Sequence, residues 1–245
     1  MPRSRNLYTN KSDRDKPFKL SRSKVDLFLE CPRCFYIDRK KGTGRPPSFP
    51  FNLNNAVDQL LKNEFDIYRS KKKRHPYMTE NNINAIPHTH ELLDEWRANF
   101  RGVQYLDQST NLLLHGAIDD LWIDLDTNQL IVVDYKATSK KEEVSLDANW
   151  QISYKRQIEF YQWLLRMNEE DISDVAYFVY LNGLKEDLLF DNKLTFKVKV
   201  ISYEGNTGWI PSVISRIFEV LENDELPDSS IGCVYCIYVN EFVSA

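Results

Sequence analysis

The feature that most constrains this chain is an acid placed directly after a run that must be buried. Leu130-Ile131-Val132-Val133 has the pattern of a strand covered on both faces, and Asp134-Tyr135-Lys136 follows at once. A carboxylate carried to such a place needs a partner. Upstream, Ile118 to Asp126 alternates around Leu121, Ile123 and Leu125 and reads as a second strand. Between the two, Asp126-Thr127-Asn128-Gln129 is turn chemistry. With the turn centred on Thr127 and Asn128, antiparallel pairing sets Asp119 opposite Lys136 and Leu121 opposite Asp134. Asp134 and Lys136 are two apart and share a face. Two carboxylates and an ammonium at one end of a sheet suit a hard divalent cation, Mg2+ or Mn2+. Asp120, Asp124 and Asp126 read as solvated.

The four cysteines form two knuckles, Cys31-Pro32-Arg33-Cys34 and Cys233-Val234-Tyr235-Cys236, with none left over. Two Cys-x-x-Cys pairs suggest one tetrahedral thiolate site joining distant parts of the chain, and spacing alone reads as Zn2+. No secretory signal is evident, which weighs against disulfides and for an intracellular, cytoplasmic setting.

Charge is strongly uneven. Residues 1–75 hold 19 Lys/Arg against 8 Asp/Glu, a net of +11, while the remainder holds 13 against 28, a net of −15. The basic part comprises Arg3 to Lys24, Arg39-Lys40-Lys41 and Arg69-Ser70-Lys71-Lys72-Lys73-Arg74, with Phe35, Tyr36, Phe49 and Phe51 interleaved. Such a surface is expected to steer a nucleic acid toward an otherwise acidic body. No run of about eighteen apolar residues exists, so no membrane span is expected.

Periodicity predicts a helix from Ser23, with Ser23 and Asp26 as a capping box, and a Gly/Pro-rich loop over Gly42 to Pro50. A second helix is predicted from Asn52 to Arg69, its apolar face made of Leu53, Val57, Leu60, Leu61 and Phe65, and a third from Glu91 to Phe100. His88 and His90 read as surface residues. After the hairpin come a helix from Trp150 to Met167, a strand from Val175 to Leu181, an edge strand from Leu194 to Ser202 and a helix from Trp209 to Leu221. Strands flanked by helices make a mixed α/β sheet. The expected organisation is a disordered basic lead-in over 1–19, then one domain over 20–245 with a helical part (20–105) and a sheet core (110–205).

Three short motifs stand in order: Gly116-Ala117-Ile118-Asp119, Asp134-Tyr135-Lys136, and Gln157-Ile158-Glu159-Phe160-Tyr161. In this order and spacing the chain resembles the RecB-like branch of the PD-(D/E)XK nucleases. The resemblance implies a restriction-endonuclease-like fold and a Mg/Mn-dependent deoxyribonuclease, an exonuclease on single-stranded or frayed DNA. It implies that Asp119, Asp134 and the Tyr135 carbonyl hold the metal, that Lys136 orients the attacking water, and that Gln157 and Tyr161 face the site from their helix. Ile158, Tyr161, Leu164 and Leu165 also form a core stripe on that helix. Asp58 stands where the branch usually carries a metal-binding His, and Asn54 where it carries a Gly. Asp58 reads as a third oxygen ligand or as a solvated helix residue; in the second case the enzyme is expected to be slow, altered in metal preference or inactive.

The segment Leu20 to Tyr36, a Ser-rich helix running into Cys-Pro-x-Cys-Phe-Tyr, resembles iron–sulfur exonucleases of the AddB and CRISPR-associated type. That resemblance implies a [4Fe–4S] cluster on Cys31, Cys34, Cys233 and Cys236, DNA repair or CRISPR adaptation as the setting, protein partners there, and a prokaryotic or viral source. The relatives usually supply three cysteines from the C-terminal side. Phe242 is near the expected place of the third here, and Cys34 makes up the count. An inactive nucleic-acid-binding module and a zinc-stapled scaffold subunit are the rival readings.

Overall fold

The computed structural model describes residues 7–13, 15–47, 52–185, 189 and 191–244. In chain order the elements are β1 (Phe18–Ser21), α1 (Arg22–Glu30), α2 (Pro32–Lys40), α3 (Asn52–Ser70), α4 (Pro76–Glu80), β2 (Ala85–Pro87), α5 (Leu93–Trp96), β3 (Val103–Asp107), β4 (Leu112–Gly116), β5 (Asp120–Asp124), β6 (Leu130–Thr138), α6 (Ile152–Met167), β7 (Val175–Gly183), β8 (Phe196–Glu204), α7 (Ile210–Glu222) and α8 (Val234–Ser244). They form a mixed α/β fold whose sheets are flanked by helices. Two compact units divide it, one from Met1–Phe49, Gln104–His115 and Gly208–Ala245, the other from Pro50–Val103 and Gly116–Thr207. Among the described residues no helix is long and apolar enough to cross a membrane.

In the first unit α1, α2 and α7 pack together, and β1 runs parallel to β4 with Phe18 opposite Leu112. The lead-in is placed from residue 7. Tyr8 is buried, its backbone N–H donates to Arg39 O, its ring meets Phe18 edge-on and its hydroxyl donates to Glu222. Ser21, rather than Ser23, is the N-cap of α1; its hydroxyl lies 2.9 Å from that of Ser23 and makes no cap bond. Phe35 and Tyr36 are core residues, not surface aromatics. Arg3, Arg5, Arg14, Phe49 and Phe51 lie outside the described residues, as does the end of the Gly42–Pro50 loop.

The second unit is a five-stranded sheet in the order β2-β5-β6-β7-β8, antiparallel except where β6 and β7 run parallel. A parallel pair needs a crossover, and α6 supplies it, packing on β6. The other flank is α3, whose Val57, Leu61, Phe65 and Arg69 are buried at a spacing of four. Its Leu53 and Leu60, expected on the apolar face, are 62% and 66% exposed. The first three pack with Trp122, Ile131, Val133 and Tyr135 from the sheet. The edge strand β8 carries Lys197 and Lys199, charges that discourage edge pairing with another chain.

Two local expectations change here. The helix expected over Glu91 to Phe100 is only Leu93–Trp96, because its last carbonyls are taken from outside it, Glu95 O by Gly102 N–H at 3.2 Å and Trp96 O by Ile118 N–H at 3.1 Å; Gly102 itself is left-handed (φ 63°). A Cβ on Gly102 would meet the Gly116 carbonyl oxygen at 2.4 Å, so the two backbones touch there. His90 is half-buried rather than on the surface, stacked on Trp96 at 4.2 Å with Nε2 3.2 Å from Glu170.

Candidate active site and thiolate centre

The hairpin register differs by two residues from the one read in the sequence. Asp120 pairs with Val133 and Leu121 with Val132, which carries Asp119 level with Asp134. The turn chemistry explains the shift. The Asp124 carboxylate accepts from the backbone N–H groups of Asp126 and Thr127, at 2.8 and 2.9 Å, and Asn128 takes a left-handed conformation (φ 61°). The bend therefore begins at Asp124, earlier than a turn centred on Thr127 and Asn128 allows.

The neighbouring acids at the start of β5 meet different partners. Asp120 is fully buried, where it was expected to be solvated. It shares the Trp122 face of the strand, and there Arg69, Arg97 (2.6 Å) and the Tyr135 hydroxyl (2.7 Å) all donate to it. Arg69 and Arg97 also donate to Asp66. Arg69 is thus enclosed in an ion network and is withdrawn from the basic cluster expected to meet nucleic acid; Lys71, Lys72 and Lys73 remain exposed.

Asp119 lies beyond the start of β5, and its Oδ2 accepts the Tyr135 backbone N–H at 2.9 Å. Asp134, buried on β6, accepts from Gln157 Nε2 at 2.8 Å through Oδ1, while Lys136 pairs with its Oδ2. The same Gln157 amide donates to the Tyr161 hydroxyl at 3.2 Å. Tyr161 is buried, so it serves both the core and this chain of hydrogen bonds. All of these residues, with Asp58, lie in the second unit.

Asp58, on α3, lines the same cleft as Asp119, Tyr135, Lys136 and Gln157. Lys62 bridges the helix and the hairpin, with Nζ 2.8 Å from Asp58 Oδ2 and 3.4 Å from Asp119 Oδ1. The three carboxylates do not converge on one point: among the described residues, only the four cysteines bring three or more ligand atoms within 4.8 Å of one another. Lysines stand between the acids instead. Burial and the Asp119 charge raise the pKa of Asp58, while Asp119 and Asp58 outweigh burial to raise that of Lys62. Burial likewise opposes the charge on Lys136, and Asp134 and Asp119 outweigh it, so its pKa is raised.

One atom tests the fit of a metal here. Asp58 Oδ1 is buried with no hydrogen-bond partner among the described residues, a costly state that a cation at the cleft would relieve. The donors are all hard oxygens, which suits Mg2+ or Mn2+. Lys62 and Tyr154, whose ring centroid lies 4.7 Å from Lys136 Nζ, were not singled out in the sequence. Lys62 was findable, since it follows Asp58 by four on a helix. Asn54 donates to the Ala137 carbonyl at 3.1 Å and ties the start of α3 to the end of β6.

In the first unit all four cysteines are buried and free, and they lie together. Each knuckle straddles a helix start: Cys31 precedes α2, with Cys34 in its first turn, and Cys233 precedes α8, with Cys236 in its first turn. Helix N-termini favour thiolates. Burial raises the Cys233 pKa, but the Cys236 backbone N–H and the neighbouring thiols outweigh it and bring it down to about 7, while burial pushes the Cys34 and Cys236 thiols up, so the cluster shares its negative charge unevenly until a cation is bound. The cluster can hold a metal.

A family model described as the PD-(D/E)XK nuclease superfamily matches residues 19–240. No curated protein matches the chain. The crystal structure of SSO0001 is similar over 94% of this chain and 87% of that one, with 15% identity and a TM-score of 0.41, too distant a likeness to bear on fold or function.

Proposed function

Because the chain belongs to the PD-(D/E)XK nuclease superfamily, we propose that it is a metal-dependent deoxyribonuclease of the RecB-like branch, an exonuclease on single-stranded or frayed DNA in repair, recombination or CRISPR adaptation. The observation that carries this reading is the gathering of Asp119, Asp134, Lys136 and Gln157 at one end of β6, each linked to another or to its backbone by the bonds described above.

Asp119, Asp134 and the Tyr135 carbonyl would hold Mg2+ or Mn2+, with Asp58 as a further oxygen ligand. The bound ion supplies Lewis acidity toward the scissile phosphate and lowers the pKa of water. The chain's residues do the positioning. The Tyr135 N–H fixes Asp119 through Oδ2, leaving Oδ1 toward Lys62. Gln157 fixes Asp134 through Oδ1 and is itself oriented against Tyr161. Lys136 is charged, and its ammonium can turn from Asp134 to orient the attacking water and offset charge on the phosphate.

A second reading, a nucleic-acid-binding module without cleavage, has one observation in its favour: Lys62 spans Asp58 and Asp119, where a cation would sit. The test is degradation of end-labelled single- and double-stranded DNA with Mg2+ or Mn2+, beside a Lys136→Ala protein. Metal-dependent shortening from the ends, greatly reduced in the variant, is expected. Equal degradation by both proteins, or none by either, would sink the nuclease reading.

A further inference from the structure

The motif resemblance implies a four-iron cluster on the cysteines, and the dimensions of the site do not fit one. We infer that Cys31, Cys34, Cys233 and Cys236 hold a single zinc ion in a closed tetrahedron.

Zinc–thiolate bonds of about 2.3 Å at tetrahedral angles set the sulfurs about 3.8 Å apart. Here Cys31 Sγ is 3.7 Å from Cys236 Sγ, Cys34 Sγ is 3.6 Å from Cys233 Sγ, and Cys34 Sγ is 3.7 Å from Cys236 Sγ. All four sulfurs lie within 4.8 Å of one another. In a [4Fe–4S] cluster each thiolate ends on a different iron, so every sulfur–sulfur path includes an iron–iron separation as well as two bonds, and four sulfides need room inside. Sulfurs this close enclose one ion.

The surroundings hold that spacing. Tyr36 donates to the Asp224 carbonyl at 2.8 Å, Arg33 to that of Pro227 at 3.0 Å and Lys40 to that of Asn223 at 2.8 Å. These bonds bind α2 to the segment leading toward the second knuckle. Each knuckle is also fixed by its own backbone, Cys31 N–H on Leu27 O at 2.9 Å and Cys233 N–H on Ser230 O at 3.1 Å.

Charge and ligand type agree. Four thiolates around Zn2+ carry a net charge of −2, and the Arg45 guanidinium supplies a positive charge 3.7 Å from Cys233 Sγ while its Cζ lies 4.5 Å from the centre of the Tyr235 ring. A closed four-sulfur tetrahedron leaves no position for a substrate, so the role is structural. Zinc is favoured over ferrous iron at a site of given ligands.

The full chain, purified without oxygen from cells supplied with both metals, decides the matter by its zinc, iron and acid-labile sulfide content. One zinc per chain, no sulfide and a colourless solution are expected, and exchange with Co2+ should give the intense visible bands of tetrahedral thiolate cobalt at one equivalent. Stoichiometric iron and sulfide, or a metal-free chain that does not take up one equivalent of zinc, would overturn the inference. Cys236→Ser should lose the zinc; the wild-type metal content is decisive even where that variant does not fold. Nuclease activity is not the readout, so failure here leaves the carboxylate-site reading standing.

Discussion

The carboxylate cleft and the thiolate centre are opposite solutions to placing like charges together. In the cleft, Asp58, Asp119 and Asp134 stay apart, with Lys62 and Lys136 as built-in counter-cations and one buried oxygen of Asp58 left without a hydrogen bond. At the centre, four sulfurs are held almost in contact by two helix starts, with a single guanidinium alongside. The first arrangement is open and adjustable, the second closed. Chemistry needs the first and cross-linking the second.

The largest effect should come from the closed site. Structural zinc supplies an apparent binding free energy of about 10–16 kcal/mol. Stripping it with a strong chelator should collapse the melting transition, whereas leaving Mg2+ and Mn2+ out of the buffer should stop DNA cleavage and keep that transition in place. Identical responses of melting and cleavage to both treatments would erase the distinction. In the open site, Lys136→Met should cut the cleavage rate on the order of 10²–10⁴-fold, the range for a group that moves or orients a proton; it also takes the cation from the buried Asp134, so the melting transition should shift down without collapsing, since Gln157 still donates to that carboxylate.

Third, the two adjacent acids can be compared directly. Asp120→Asn leaves two guanidinium groups against a neutral amide, and breaking such a buried pair costs about 3–5 kcal/mol. Asp119→Asn should cost far less stability and far more activity. A denaturant titration of both variants checks this, and equal midpoints would undo the separation of roles.

His115, in the first unit, predicts a pH effect. Burial, aided by the Lys19 charge, lowers its pKa from 6.5 to about 4. Between those values the unfolded chain binds the proton and the folded chain does not, so stability rises with pH. The contribution is present above pH 6.5 and is lost as pH falls toward 4. His115→Gln should flatten that part of the melting-temperature profile, and a slope unchanged by the substitution would remove His115 as its cause.

The smallest effect concerns Lys62. Lys62→Met removes a positive charge from beside Asp58 and Asp119, so Mn2+ should bind more tightly, by roughly tenfold or less, about 1.4 kcal/mol at most. Titration followed by manganese resonance, without DNA, reads this directly. Weaker binding in the variant would mean that Lys62 serves to place Asp58 rather than to compete with the metal.

What was legible in the sequence follows from the strength of local signals. The helices α3, α6 and α7 and the strands β6, β7 and β8 all lie close to where periodicity put them, since each carries a long, consistent pattern. The strands β1 and β2 have four and three residues, too short for a period to register. The register slip came from Asp124, whose side chain starts the turn early, an effect of hydrogen bonding that residue type alone does not fix. Asp119 and Asp120 are identical as letters; one becomes a candidate ligand and the other an ion-network centre because Asp120, in β5, is enclosed by Arg69, Arg97 and the Tyr135 hydroxyl, while Asp119, ahead of the strand, meets the Tyr135 backbone N–H and Lys62. Leu53 and Leu60 extend the apolar pattern of α3 beyond the stripe that the sheet covers.

The divided first unit bears on how the chain is made. Cys34 leaves the ribosome 199 residues ahead of Cys233, about 10–40 s earlier at ordinary rates of synthesis. Every residue of the second unit is translated within that interval. Until Cys233 and Cys236 follow, Cys31 and Cys34 are half a site on a nascent chain, a vicinal dithiol exposed to oxidants and to whatever thiophilic metal arrives first. Correct assembly therefore depends on the redox state of the compartment during translation as much as on the affinity of the finished centre.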